Sequence, residues 1–170
     1  MPFQMEFEMS IKASPRELDA IRGHAARDYP NECCGILLGR EVDRAKEVSE
    51  AVPLKNLRTE PDKAQAVLPL EAPGRESERN RFLIDPLEQL KVEKDARARG
   101  LDVVGYYHSH PDHPARPSNY DRDHAWPWYS YLIISVERGK AGELLSWTLS
   151  EDRSRFDPES LEVRKPSSAA

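Results

Sequence analysis

The chain has 170 residues, enough for one domain of ordinary size with a real core. Hydrophobic residues make up 38% and charged residues 32%, a globular rather than a disordered balance. A formal charge of -5 with the signs interspersed leaves no basic stripe for phosphates, which argues against a nucleic-acid binder, and no apolar run is long enough to cross a bilayer.

Met5, Phe7, Met9 and Ile11 alternate with Glu6, Glu8, Ser10 and Lys12, the period of a half-buried strand. The glutamates in Met1–Met9 stand where a secretory signal needs a basic start and an apolar run. Ser14-Pro15-Arg16-Glu17 opens a helix with a cap, a proline at the first position and a capping box; Leu18, Ile21, Ala25 and Tyr29 form its apolar face, and Pro30 ends it. Cys33 and Cys34 are adjacent and cannot staple distant segments, so a reducing, cytoplasmic setting is expected. Both are expected as small buried hydrophobes rather than nucleophile or ligand.

Gly35–Gly39 is a short apolar run bounded by glycines, a buried strand, and Lys46–Val52 predicts another. Residues 53–80 are polar and proline-rich without a period, which predicts a long surface loop. Arg81–Ile84 is expected as a short strand. Asp85-Pro86-Leu87-Glu88 repeats the capping signature and opens a helix with Leu87, Leu90 and Ala98 inward, stopped by Gly100. Leu101–His108 is an apolar strand, residues 118 to about 126 a short helix, and Ser130–Val136 and Glu143–Leu149 two further strands. After Asp152 the pattern fades, and Pro166–Ala170 is expected to fray. Strands and helices in this order predict a single mixed α/β domain.

The segment from His108 to Asp121 carries the chemistry. His108 and His110 are two apart at the end of a strand, so their imidazoles emerge on one face. A proline-rich turn follows, and Asp121 in the first turn of the next helix can supply an oxygen. Two histidines and one carboxylate leave a fourth position for water, the pattern of catalytic rather than structural zinc. Ser118-x-x-Asp121 is equally an ordinary capping box, which by itself accounts for both residues. Ser109, between the histidines, points away from the metal side. His113 in the turn is open to a substrate contact or to plain exposure; His124 and His24 are expected to stand apart from the chemistry. Trp126, Trp128 and Tyr129 either wall a substrate groove or pack the core.

His-x-His-Pro, then Ser-x-x-Asp with seven residues between the second histidine and the serine, resembles the JAMM motif of the MPN-domain (JAB/Mov34) metalloproteases. Val103–Tyr107 before the motif, Trp126–Val136 after it and Asn56 are similar to the small bacterial members, and the resemblance covers most of Ser10 to Leu149. It implies an α/β fold: a single MPN domain (JAB, cytidine-deaminase-like) with a mixed curved β-sheet flanked by helices. The catalytic domain would span residues 1–152, with the 53–80 loop as an insertion and 153–170 as a C-terminal strand or tail. It also singles out Glu32, just ahead of the glycine-bounded strand, which the bare sequence does not distinguish from the other acidic residues.

The resemblance implies a zinc metallopeptidase with His108, His110 and Asp121 as ligands. Glu32 is then the general base and Ser118 the support for the oxyanion. It implies cleavage of a peptide or isopeptide bond after the Gly-Gly tail of a ubiquitin-like or sulfur-carrier protein, the tail threading in by strand addition and the 53–80 loop contacting the carrier. Two alternatives are a deubiquitinase-like isopeptidase acting on lysine-linked conjugates and a non-catalytic MPN scaffold. Neither nucleic acid nor membrane is expected as a partner, and a homodimer remains an open option.

Overall fold

The computed structural model describes residues 9–59 and 82–165. Ser14 caps α1 (Pro15–Asp28) and its N–H is taken by the Glu17 carboxylate at 3.1 Å, the expected capping box. Leu18, Ile21 and Ala25 are buried along one face of that helix. Ahead of it, β1 (Ser10–Ala13) buries Ile11 and Ala13 and leaves Ser10 and Lys12 half-buried, so the expected alternation holds there; the rest of that expected strand, up to residue 8, lies outside the described residues.

β2 (Cys34–Val42) and β3 (Ala45–Leu54) form a hairpin whose two turn residues, Asp43 and Arg44, have φ of 50° and 65°. Both belong to the mirror-image turn that suits the right-handed twist of a hairpin. α2 (Pro86–Ala98) begins at Asp85, whose carboxylate accepts from Leu87 N at 2.9 Å. β4 (Asp102–Pro111), α3 (Asn119–His124), β5 (Ser130–Glu137), β6 (Lys140–Leu149) and β7 (Phe156–Val163) complete the chain order.

The strands run β1-β3-β2-β4-β5-β6-β7 and β7 pairs back onto β1, closing a barrel. β1–β3, β1–β7 and β4–β5 are parallel and the remaining pairs antiparallel, which is the expected mixed, curved sheet. On one side, Ile11, Leu18, Ile21, Ala25, Leu37 and Tyr107 join a core under α1. On the other, Ile36, Leu38, Leu54 and Ala96 pack beneath α2. With both faces covered, β2 reads as an unbroken apolar run rather than an alternation. Tyr107 lies so close over Gly35 that any Cβ there would run into its ring.

Three expectations change. Leu87 and Leu90 are exposed, at 76% and 46%, and so is Ala98; Val92 and Ala96 face the sheet instead, beside Gln89, whose amide reaches Tyr106 Oη at 3.3 Å. The expected loop starts later, because Pro53 and Leu54 still belong to β3 and Leu57–Thr59 form a 3-10 turn; residues 60–80 of it lie outside the described residues. The expected strand Arg81–Ile84 reduces to one bridge, Asn56 with Ile84, Arg81 being outside the described residues. The region after Asp152, expected as a strand or tail, contains the strand β7, and residues 166–170 are outside the described residues.

β7 is held by a buried ion pair. Lys46 Nζ lies 2.9 Å from Ser130 Oγ and 3.4 Å from Glu159 Oε2, each charged side chain 1% exposed, and the hydroxyls of Ser130 and Ser146 both donate to Glu159 Oε1. Removing one partner strands the other in a dry interior. Glu159→Ala is therefore expected to destabilise the fold by about 3–5 kcal/mol, and Lys46→Met with Glu159→Leu together to recover most of the loss. Urea denaturation of the two variants checks this; equal losses would contradict it.

Candidate active site

The end of β4 carries His108 and His110 on the face toward α2, with Ser109 on the opposite face. Their Nε2 atoms are 3.1 Å apart. Asp121, in the first turn of α3, sets Oδ1 at 3.2 Å from His108 Nε2 and Oδ2 at 3.3 Å from His110 Nε2. Two bonds of about 2.0–2.1 Å opening at the tetrahedral angle put their ligand atoms about 3.3 Å apart. The two imidazole nitrogens and the Asp121 carboxylate thus converge closely enough to suit a small divalent cation with its fourth position open. His108 and His110 are 2% and 8% exposed, so the centre is largely dry.

The turn that returns the chain to Asp121 is held carbonyl by carbonyl. Prolines at 111, 114 and 117 remove N–H donors, and side chains take over the pairing. Ser135 Oγ donates to His113 O at 2.6 Å, His110 Nδ1 to Pro114 O at 2.9 Å and Trp147 Nε1 to Ala115 O at 3.0 Å. A carbonyl only accepts, so His110 Nδ1 carries the proton and Nε2 presents its lone pair to the metal position. Asp112 opens the turn at φ 56°; its Oδ2 accepts from Tyr29 Oη at 2.7 Å and its Oδ1 from Arg138 N at 2.9 Å. Those bonds hold its carboxyl below the ordinary range.

Ser118 caps α3. Its Oγ accepts from Asp121 N at 3.1 Å while its own N–H donates to Asp121 Oδ2 at 2.8 Å. Asp121 therefore belongs both to the capping box and to the His-His-Asp cluster, and the box aims its carboxylate at the histidines. Burial works against charge on His108, yet Asp121, its hydrogen bond and Glu32 outweigh it and raise the imidazole's pKa. Burial likewise opposes ionisation of Asp121, but the two histidines and the Ser118 N–H hold its carboxyl far below the usual carboxylate range.

Glu32 comes from 76 residues upstream of His108. Cys34 pairs with His108 across β2 and β4, and Ser109 N donates to Cys33 O at 3.1 Å, which sets the buried Glu32 near the histidine pair. His108, His110 and Asp121 thus come together, Ser118 bonds Asp121, and the charge of Glu32 acts on His108.

Residues 14–150 match the family described as prokaryotic homologs of the JAB domain. The chain belongs to this family. It is 36% identical over 149 residues to the desampylase of Haloferax volcanii, covering 85% of this chain and 91% of that protein. It is 32% identical over 124 residues to a probable TtuB-protein conjugate cleaving protease of Thermus thermophilus, covering 73% and 69%. A solution structure of a Desulfitobacterium hafniense protein superposes with a TM-score of 0.71 at 32% identity, covering 92% of this chain and 94% of that one. This JAB-family chain is a peptidase, and its MPN fold carries the His-His-Asp set on the expected elements.

The remaining candidates separate. His113 is exposed in the turn, and His124 stacks on Tyr120 with ring centroids 4.0 Å apart, its Nδ1 donating to Tyr120 O. His24 is buried on the other side of the sheet between Tyr107 and Asp28. Cys33 and Cys34 are fully buried, and desolvation pushes the Cys33 thiol up to about 12, so neither offers a thiolate at neutral pH. Trp126 and Trp128 are 63% and 42% exposed, which removes them from the core, while Tyr129 packs edge-on against Tyr106. Phe82 is a site residue the sequence did not single out: its ring lies 4.8 Å from that of His108. Nothing local in the sequence distinguishes it.

Protons compete with a cation for the same lone pairs. Because Asp121 makes His108 hold its proton more tightly than an ordinary histidine, lowering the pH is expected to release a bound metal and raising it to restore binding. Metal content after dialysis against a divalent-metal buffer is expected to fall from about one ion per chain near pH 7.5 to almost none near pH 5. His110→Ala and Asp121→Asn are expected to hold none at any pH. A metal content indifferent to either change would contradict the ligand set.

Proposed function

We propose that this chain is a zinc metallopeptidase that cleaves a peptide or isopeptide bond after the Gly-Gly tail of a ubiquitin-like or sulfur-carrier protein. His108, His110 and Asp121 hold the zinc, Glu32 is the general base and Ser118 supports the oxyanion. The observation that carries this is the convergence of two imidazole nitrogens, 3.1 Å apart, on the Asp121 carboxylate, whose oxygens lie 3.2 Å from His108 (Oδ1) and 3.3 Å from His110 (Oδ2), in a buried pocket beside Glu32. Two imidazole nitrogens and one carboxylate oxygen favour zinc over harder ions.

A zinc ion bound there would polarise the scissile carbonyl and lower the pKa of the attacking water from about 15.7 towards about 7. Glu32 takes the proton from that water and delivers it to the leaving amine. Ser118 Oγ already accepts from Asp121 N, which leaves its hydroxyl hydrogen for the oxyanion of the tetrahedral intermediate. Ser118 is not a nucleophile, because its partners are the N–H and carboxylate of a ligand rather than a base.

The substrate class rests on the relatives, whose names denote a desampylase and the cleavage of TtuB-protein conjugates. Barrel closure limits strand addition to places where a ladder stops. One lies along β3, which continues to Leu54 although β1 pairs with it only from Ala45 to Glu47. That stretch ends opposite Cys34, itself opposite His108, so a tail pairing there would run toward the metal ligands. The word "conjugate" in one relative's name favours isopeptide bonds to lysine as a second substrate form with identical chemistry. A complete ligand set beside a buried glutamate argues against a scaffold without activity. Two free cysteines suit a cytoplasmic, reducing setting.

The test pairs two substrates: a sulfur-carrier protein extended by cysteine after Gly-Gly, and the same carrier joined to a lysine. Mass spectrometry is expected to show release from at least one by the zinc-loaded native chain, and none by Glu32→Gln with its zinc retained. Ser118→Ala is expected to lower kcat by about 10²–10³. Cleavage by Glu32→Gln at the native rate would remove the base assignment.

A further inference from the structure

Glu32 stands outside any strand, two residues ahead of β2, so no ladder on its own segment holds it. The peptide unit that follows its Cα is nevertheless gripped at both polar atoms. Its oxygen, Glu32 O, accepts from Asn56 Nδ2 at 2.8 Å, and its N–H, that of Cys33, donates to Ser109 Oγ at 2.8 Å. Ser109 N then donates to Cys33 O at 3.1 Å, so one residue brackets Cys33 from both sides. Asn56 is 5% exposed and Ser109 fully buried, which places these bonds away from competing water.

The orientation of the Asn56 amide is dictated by its neighbours. Oδ1 accepts from Arg58 N and Leu83 N, both at 3.0 Å, while Nδ2 faces the Glu32 carbonyl. Turning the amide over would set its NH2 against two N–H donors and its oxygen against a carbonyl. Ser109 is fixed just as firmly, since it lies between His108 and His110 on the opposite face of β4.

We propose that Asn56 and Ser109 are positioning residues that fix the plane of the Glu32–Cys33 peptide and thereby aim the Glu32 carboxylate at the metal position. This rests on Glu32 being the general base. Fixing that peptide sets ψ of Glu32 and so limits where its side chain can swing. The Ser109 bonds refer the base to the same three residues that present the two imidazoles. A reacting group has to be held to about 0.5 Å, and a displacement of about 1 Å can cost about 100-fold in rate. Two hydrogen bonds on an otherwise irregular segment supply that restraint.

The experiment is a set of double-mutant cycles on the zinc-loaded full chain. Asn56→Ala and Ser109→Ala are each expected to lower kcat by about 10- to 100-fold, with KM and zinc content within about twofold of native. In a Glu32→Asp background, whose carboxylate is already one methylene short, either change is expected to cost less than about twofold, because residues that act through one group are not additive. Losses that multiply in that background, or that appear in KM or zinc content alone, would overturn the proposal. If Asn56→Ala does not fold by circular dichroism, Ser109→Ala, a smaller change on the other arm of the clamp, decides the matter alone. Failure of the base assignment reads differently: Glu32→Gln would then cleave at the native rate whatever stands at 56 and 109.

Discussion

Where β2 begins, Cys34 pairs with His108, and one residue earlier the Cys33 carbonyl takes the Ser109 N–H. That antiparallel register carries the chemistry, because it joins two segments that are far apart in the chain. β4 brings two imidazoles on one face, β2 brings the carboxylate on the irregular residue ahead of it, and the pairing fixes the distance between them. The burial of β2 on both sides enforces the register. A slip of one residue would turn Leu37 away from the α1 core and Ile36 and Leu38 away from the α2 side.

The metal position adds an electrostatic constraint to the geometric one. A carboxylate that is 8% exposed beside two imidazoles is stable only with positive charge among them, from a proton or from a cation. The raised His108 and the depressed Asp121 express that requirement. A divalent cation answers it better, since it satisfies three lone pairs at once. The turn between the ligands is correspondingly stiff, with three successive carbonyls each held by a different side chain.

Much of this was legible because it is local. Ser14, Pro15 and Glu17 begin a helix by bonds made within one turn, and Asp85 with Pro86 does the same. The histidine pair declares itself by the period of two. Glu32 does not, for its role comes from a partner 76 residues away and only the family resemblance pointed to it. β7 looked like a polar tail because its inward residue is Glu159, a charge whose burial makes sense only with Lys46 opposite. α2 misled for the converse reason: Leu87 and Leu90 are its conspicuous apolar residues, yet the helix docks through Val92 and the small Ala96 beside a polar Gln89–Tyr106 contact. Tyr29, Asp112, Ser135 and Trp147, which hold the turn before Asp121, have no signature in the sequence, since Tyr29 acts on the Asp112 carboxylate and the other three on backbone atoms, all far along the chain.

One zinc ion is proposed to sit between His108, His110 and Asp121, within reach of Glu32. Anomalous diffraction at the zinc edge, from crystals of the protein loaded with zinc, tests it most directly. The account predicts one strong peak about 2.0–2.2 Å from His108 Nε2, His110 Nε2 and an Asp121 oxygen, with a solvent ligand on the side of Glu32. A peak bound through other side chains, or a fourth protein ligand closing the site, would contradict it.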